Sequence, residues 1–195
     1  MKDFLELIKT RRSIRKFLNK KVKLSLIKKA IDSARYAPSA ANLQFLEFLV
    51  ITKKNLKEKI FPHLKWAGYL YPKGTPSEKE RPASYIMVLI NKYKSQRPDL
   101  RDVGAGVQNI LLTLHYFGIA SCWIAAINKK EIKKILKLPN FLELDSVIAL
   151  GYPAHKSKVV KFKGSVKYYL DKSGTLCVPK RPLKEMLFIN EYKRV

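Results

Sequence analysis

Val103-Gly104-Ala105-Gly106-Val107-Gln108-Asn109-Ile110-Leu111-Leu112-Thr113-Leu114-His115-Tyr116-Phe117-Gly118-Ile119-Ala120-Ser121-Cys122-Trp123-Ile124-Ala125-Ala126-Ile127-Asn128 carries no formal charge, and its reading decides the fold. A membrane span needs roughly 20 mainly apolar residues, and here Gln108, Asn109, Thr113, His115 and Gly118 interrupt the run. A buried helix followed by a buried strand fits better. Val103, Val107, Ile110, Leu111, Leu114 and Phe117 recur at helical spacing, with Asp102 near the start and Gly118 near the end, and Ala120 to Ile124 reads as a strand. Gly104-Ala105-Gly106 has the look of a dinucleotide fingerprint. Its third glycine position holds Asn109, and it falls inside a helix rather than after a strand, so close helix packing explains it better.

Upstream, Phe4, Leu5, Leu7 and Ile8 mark a short amphipathic helix over 3–10, and Leu26, Ile27, Ala30, Ile31 and Ala34 mark a second from Ser25, a plausible N-cap, to Tyr36 before Pro38. Pro38 to Gln44 is turn-like, Phe45 to Thr52 reads as a strand, and 55–61 as a helix. Residues 62–82 show no period and read as a long loop, a lid candidate. Tyr85 to Ile90 fits a central strand. Downstream, Asn128 and Glu131 have capping-box spacing and open a helix that Pro139 closes. Ser146 to Leu150 is a further strand, followed by a Lys-rich linker and a short helix over 183–187. With no repeat and no clear linker between domains, 195 residues read as one domain spanning 1–195, a central sheet covered by helices on both faces.

Composition narrows the function classes. Hydrophobic residues at 47% and charged residues at 28% exclude a disordered or collagen-like chain. Cys122 and Cys177 are too few for a disulfide scaffold and are not spaced as metal ligands, which points to a reducing cytoplasm; no metal site is expected. The opening residues MKDFLELIKTRRS lack an uninterrupted apolar run, so no signal peptide is expected. The formal charge of +25 favours anionic partners. Basic residues never run more than two together, which suits solvated helix faces better than a nucleic-acid-binding tail. No specific nucleic acid and no membrane is expected as a partner, and a basic nucleic-acid-binding protein stands as a rival reading.

No Walker A, G-x-S-x-G or H-E-x-x-H sequence is present. Cys122 reads as a small buried hydrophobe. What remains is an anion-binding pattern. Arg11, Arg12, Ser13 and Arg15 follow a short helix, and an extended backbone sends Arg11, Ser13 and Arg15 to one side, where guanidinium groups and a hydroxyl can hold a phosphate. A solvated basic patch explains the same residues.

R-R-S-x-R near the N-terminus, P-S-x-x-N-x-Q about 25 residues on, D-V-G-A-G-V-Q-N, C-W-I, L-G-Y-P and K-R-P-L-K-E-M, in that order, resemble the FMN-dependent nitroreductase family from about Lys9 to Glu191. The resemblance implies an α+β, three-layer α-β-α fold with a mainly antiparallel central sheet, in a domain-swapped homodimer. It implies FMN as cofactor and NADH or NADPH as reductant, with a nitroaromatic, quinone or related small acceptor reduced in ping-pong fashion. A specialised relative, a dehalogenase or an azoline oxidase, is the nearest alternative.

Carried over by position, the resemblance makes Arg11 and Ser13 ligands of the FMN phosphate and ribityl end, with Arg12 beside them and Arg15 near flavin N1 and the C2 carbonyl. Pro38, Ser39 and Asn42 would come from the other protomer, with Asn42 at the pyrimidine edge and Gln44 as a further candidate. Ile124 and Ala125 would pass near N5, although many relatives have Gly where Ala125 stands and some have Glu where Ile124 stands. Gly151 would pack near the cofactor, and Lys180 and Arg181 would complete the phosphate site. No catalytic acid, base or nucleophile is expected, because the flavin carries the chemistry and the protein holds and tunes it.

Overall fold

The computed structural model describes residues 3–192. They form two compact units, the first ending at Ala154 and the second beginning at His155. The first contains α1 (Phe4–Thr10), α2 (Leu24–Ala34), β1 (Leu46–Ile51), α3 (Lys54–Ile60), β2 (Ser84–Asn91), α4 (Leu100–Tyr116), β3 (Ala120–Ile124), α5 (Lys129–Leu136) and β4 (Leu142–Gly151). Its four strands form one antiparallel sheet in the order β1-β2-β4-β3.

β2 is buried at every position because it is central and covered on both faces. Tyr85, Met87 and Leu89 enter one core while Ile86, Val88 and Ile90 enter the other, as strand alternation requires. Ile60 of α3 and Ile132 of α5 close the first core. Ile27, Ala30 and Ala34 of α2 and Val103, Val107, Ile110, Leu111 and Leu114 of α4 close the second. The unit is therefore the expected α-β-α sandwich, and each fully buried Ile or Leu contributes on the order of 1.5–3 kcal/mol. Among the described residues no helix is long and apolar enough to cross a membrane.

β3 falls on the expected residues, but other elements differ at their ends. α2 starts after Lys23, whose backbone is extended, so Ser25 lies in the first turn and caps nothing; the helix ends at Ala34, two residues before the expected Tyr36. At α5, Asn128 accepts from the Glu131 amide at 3.2 Å, which is half a capping box. The other half is missing because the Asn128 amide donates to the His63 carbonyl at 2.9 Å. β4 begins four residues earlier than Ser146. A bulge at Asp145 shifts the register between Val88 and Leu89 of β2, so Leu144 and Val147 face the same core despite their odd spacing. Gly106 packs against α2 and β1: a Cβ there would stand 2.9 Å from Leu46 Cδ1 and 3.8 Å from Ala34 Cβ.

Residues 62–82 are not one open loop. Leu64, Trp66 and Ala67 are buried, and short 3-10 turns occupy Phe61–His63, Gly68–Leu70 and Glu78–Glu80. In the second unit the expected Lys-rich linker is a three-stranded sheet, β5 (Ser157–Lys161), β6 (Tyr169–Leu170) and β7 (Leu176–Lys180), in the order β5-β7-β6 with β5 parallel to β7. Asp171 organises its turn, accepting from the amides of Ser173 and Thr175 and from Lys158 Nζ at 2.9 Å. The expected helix over 183–187 is a single 3-10 turn, Leu183–Glu185.

Candidate functional site

Arg11 caps the C-terminal end of α1, its amide donating to the Leu7 carbonyl at 3.2 Å. From there the chain runs extended along β3. Ser13 pairs with Ser121 in a parallel bridge, and the Ile14 amide donates to the Ser121 carbonyl at 3.0 Å. Buried Ile14 and Phe17 anchor this segment in the core. Arg11 and Arg15 both lie close enough to the Cys122 sulfur for their charges to act on it. Burial pushes the Cys122 thiol pKa up, and the two guanidinium charges oppose that rise.

Arg11, Arg12, Ser13 and Arg15 are all partly buried. Partial burial lowers the pKa of Arg11, and burial followed by the charge of Arg11 lowers that of Arg12. Arg12 Nη2 donates to the Lys9 carbonyl. Among the described residues neither Arg11 nor Arg12 forms an ion pair with a carboxylate. Two adjacent, partly desolvated cations without a carboxylate form a donor set suited to a phosphate.

At the end of β3 Ile124 is buried, and Ala125, the next residue, is exposed. The next residues are braced by 63–65: the Lys65 amide donates to the Ala126 carbonyl at 3.0 Å, and Leu64 bridges to Ile127. The start of the 62–82 segment thus supports the chain beside Ala125. Trp123 is partly exposed, and its indole donates to Ser146 Oγ at 2.6 Å. The close neighbour of Gly151 is Phe17, whose side-chain atoms would meet a Cβ at 3.0–3.1 Å.

The 38–44 loop is held by a residue not singled out from the sequence as part of the site. Asp102 is buried in the first turn of α4, and its Oδ2 accepts from the Ser39 hydroxyl and the Ala40 amide, each at 2.9 Å. Ser39 Oγ accepts in turn from the Gln44 amide at 3.1 Å, and Gln44 Nε2 donates to Asn42 Oδ1 at 3.0 Å. Ala41, Asn42 and Gln44 have left-handed φ of 48°, 54° and 47°. Pro38, Asn42 and Gln44 remain exposed. The available signal was Asp102 itself, a carboxylate bordering a long uncharged stretch, where burial requires a dedicated donor.

The structure does not bring this loop to Arg11–Arg15 within one chain. Ser121, paired with Ser13, faces Leu150 and then Ser84 across the sheet, whereas Leu46, which follows the loop, faces Ile90. Three strand spacings of ~4.8 Å and the ~3.4 Å rise per residue from Ser84 to Ile90 place the two positions about 14 Å apart across the sheet and about 20 Å apart along it. They occupy diagonally opposite corners. Lys180 ends β7 in the second unit and Arg181 follows it, with its Nε donating to Glu185 Oε2 at 3.0 Å.

This arrangement defines a protein of the nitroreductase class: the Nitroreductase family model matches residues 8–152, and the chain belongs to that family. It is 34% identical over 158 residues to a Methanothermobacter thermautotrophicus protein provisionally named NADH dehydrogenase/NAD(P)H nitroreductase, covering 78% of each chain. It is 25% identical over 170 residues to an iodotyrosine deiodinase of Thermotoga neapolitana, covering 78% of this chain and 90% of that one. The solved FMN-dependent nitroreductase of Clostridium difficile R20291 superposes with a TM-score of 0.71 at 22% identity, covering 97% of this chain and 100% of that one, a likeness of fold.

Proposed function

We propose that the chain works as a homodimeric FMN oxidoreductase that takes hydride from NADH or NADPH and reduces a nitroaromatic, quinone or related small acceptor in ping-pong fashion. Family membership and the NAD(P)H-named relative support the NAD(P)H-dependent oxidoreductase class. The acceptor, the dimer and the residue roles are the proposal. The observation that carries it is the adjacent pair Arg11 and Arg12, partly buried cations that form no ion pair with a carboxylate among the described residues.

In this reading Arg11, Arg12 and Ser13 hold the FMN phosphate and ribityl end, and Arg15 places a permanent positive charge at the pyrimidine edge. Bound FMN supplies a hydride acceptor and donor at N5. The backbone at Ile124 and Ala125 limits the approach to that position. Pro38, Ser39, Asn42 and Gln44 reach the same pocket from the partner subunit, because their own Arg11–Arg15 segment is at the far corner of the sheet. Lys180, Arg181 and Gly151 are further candidates, although Gly151 already has a packing role against Phe17.

The test is sedimentation of the purified protein with detection at a flavin absorption band, followed by an acceptor screen with each nicotinamide. A flavin-bearing dimer is expected. A colourless protein that takes up no FMN, or a monomer that retains FMN at micromolar concentration, would overturn the reading. The deiodinase relative motivates a second reading, reductive dehalogenation. Release of iodide from an iodinated phenol by the reduced protein, without nitroaromatic turnover, would favour it.

A further inference from the structure

A cavity of about 740 Å³ opens between residues 18–22, α3 and the segment leading into β2. Its volume lies in the range of small-molecule sites. Lys20, Lys21, Lys54, Lys57, Lys79 and Arg81 line it. Glu58 and Glu78 are the acidic lining residues, and Glu58 is already 3.8 Å from Lys54. Leu18, Val22 and Pro82 add an apolar wall.

Two of these cations are built into the structure. Lys57 Nζ donates to the Ala83 carbonyl at 2.9 Å and the Pro82 carbonyl at 3.4 Å, so this partly buried ammonium has a third N–H beyond those two bonds. Burial lowers its pKa; Glu58 opposes that fall, and Lys21 and Lys54 add to it. The Arg81 guanidinium lies 4.2 Å over the Phe61 ring, and its buried Nε has no hydrogen-bond partner among the described residues. Crowded cations with unused donors around a concave space lower their mutual repulsion by taking a multiply charged anion.

We infer that this cavity binds a phosphorylated small anion of the pyrophosphate or nucleotide class, with Lys57 at its base and Lys21 and Lys54 closing on the same group. The inference goes beyond the proposed oxidoreductase function and is independent of it. None of these residues has been assigned to the flavin site.

The experiment is isothermal titration calorimetry of the full chain, saturated with FMN and at physiological ionic strength, with inorganic pyrophosphate as probe and sulfate as comparison. One saturable site per chain is expected, with sulfate weaker and the flavin retained. Affinity should fall about ten-fold in Lys57→Gln and again in the double variant Lys21→Gln/Lys54→Gln. The double variant alters two exposed side chains and keeps the test valid if Lys57→Gln fails to fold. ADP as a second titrant separates the sources: tighter binding than pyrophosphate assigns the apolar wall to a base, and equal or weaker binding assigns the site to free polyphosphate. Absence of saturable binding, sulfate binding as tight as pyrophosphate, displacement of FMN, or unchanged affinity in the double variant would overturn the inference.

Discussion

Asp102→Ala removes the acceptor that holds the 38–44 loop, and its effect can be worked from the contacts. Oδ2 receives two hydrogen bonds at 2.9 Å, from the Ser39 hydroxyl and the Ala40 amide. Hydrogen bonds to a charged partner contribute about 1.5–3 kcal/mol each. Ala40 is exposed, so water can replace the carboxylate at its amide, whereas the Ser39 bond is part-buried and should be counted in full. A net loss of about 2–3 kcal/mol follows. That loss falls on a loop with three non-glycine residues in the left-handed region, a conformation that costs about 1–2 kcal/mol per residue and relaxes once the restraint is gone. If the loop must be ordered for the flavin to bind, FMN affinity in the dimer should fall about 30-fold to 150-fold. Asp102→Asn keeps an acceptor oxygen and loses the charge, so it should lose about half that free energy, a fall of about 5-fold to 12-fold. The assay is quenching of FMN fluorescence on titration with protein, with circular dichroism to verify folding. A folded Ala variant that binds FMN within about two-fold of wild type would refute the coupling between Asp102 and the cofactor pocket.

Arg15→Gln should lower the two-electron potential of bound FMN by ~30 mV, about 1.4 kcal/mol, while Arg15→Lys largely preserves it; redox titration of FMN-saturated samples checks both. Gly151→Ala brings a Cβ to 3.0 Å from Phe17 Cβ and should destabilise the fold by about 1–3 kcal/mol, read as a lower denaturant midpoint. Cys122 should resist a thiol reagent in the native protein at neutral pH and react on unfolding, because it is buried with its thiol pKa pushed up. A raised folded pKa means that only the unfolded chain ionises this thiol just above the ordinary thiol range. The Cys122 contribution to stability is therefore fully present below that range and is lost as pH rises through the folded pKa; Cys122→Ala should flatten the alkaline limb of a stability profile.

The uncharged run from Val103 to Asn128 determined, by itself, a buried helix and a buried strand, because the spacing of apolar residues and the absence of charge are local properties. α4 and β3 follow that pattern, and unbroken apolarity at Tyr85–Ile90 likewise marked the central strand. The order of the R-R-S-x-R and P-S-x-x-N-x-Q motifs likewise pointed to the family. Features that depend on distant partners were not legible. The Asn128 amide was expected to bond within its own capping box and instead bonds to His63, from a segment that carries no period. β5 and β7 are parallel strands joined through residues 162–175, and their lysines hid the pairing that makes them a sheet. Asp102 could be placed near a helix start, but nothing local indicated that Ser39 and Ala40, more than sixty residues away, would be its donors. Tertiary structure also decided that two motifs expected to face one cofactor stand at opposite corners of a sheet. Strand order and register set that separation, and both arise from contacts distant in sequence that no local pattern encodes.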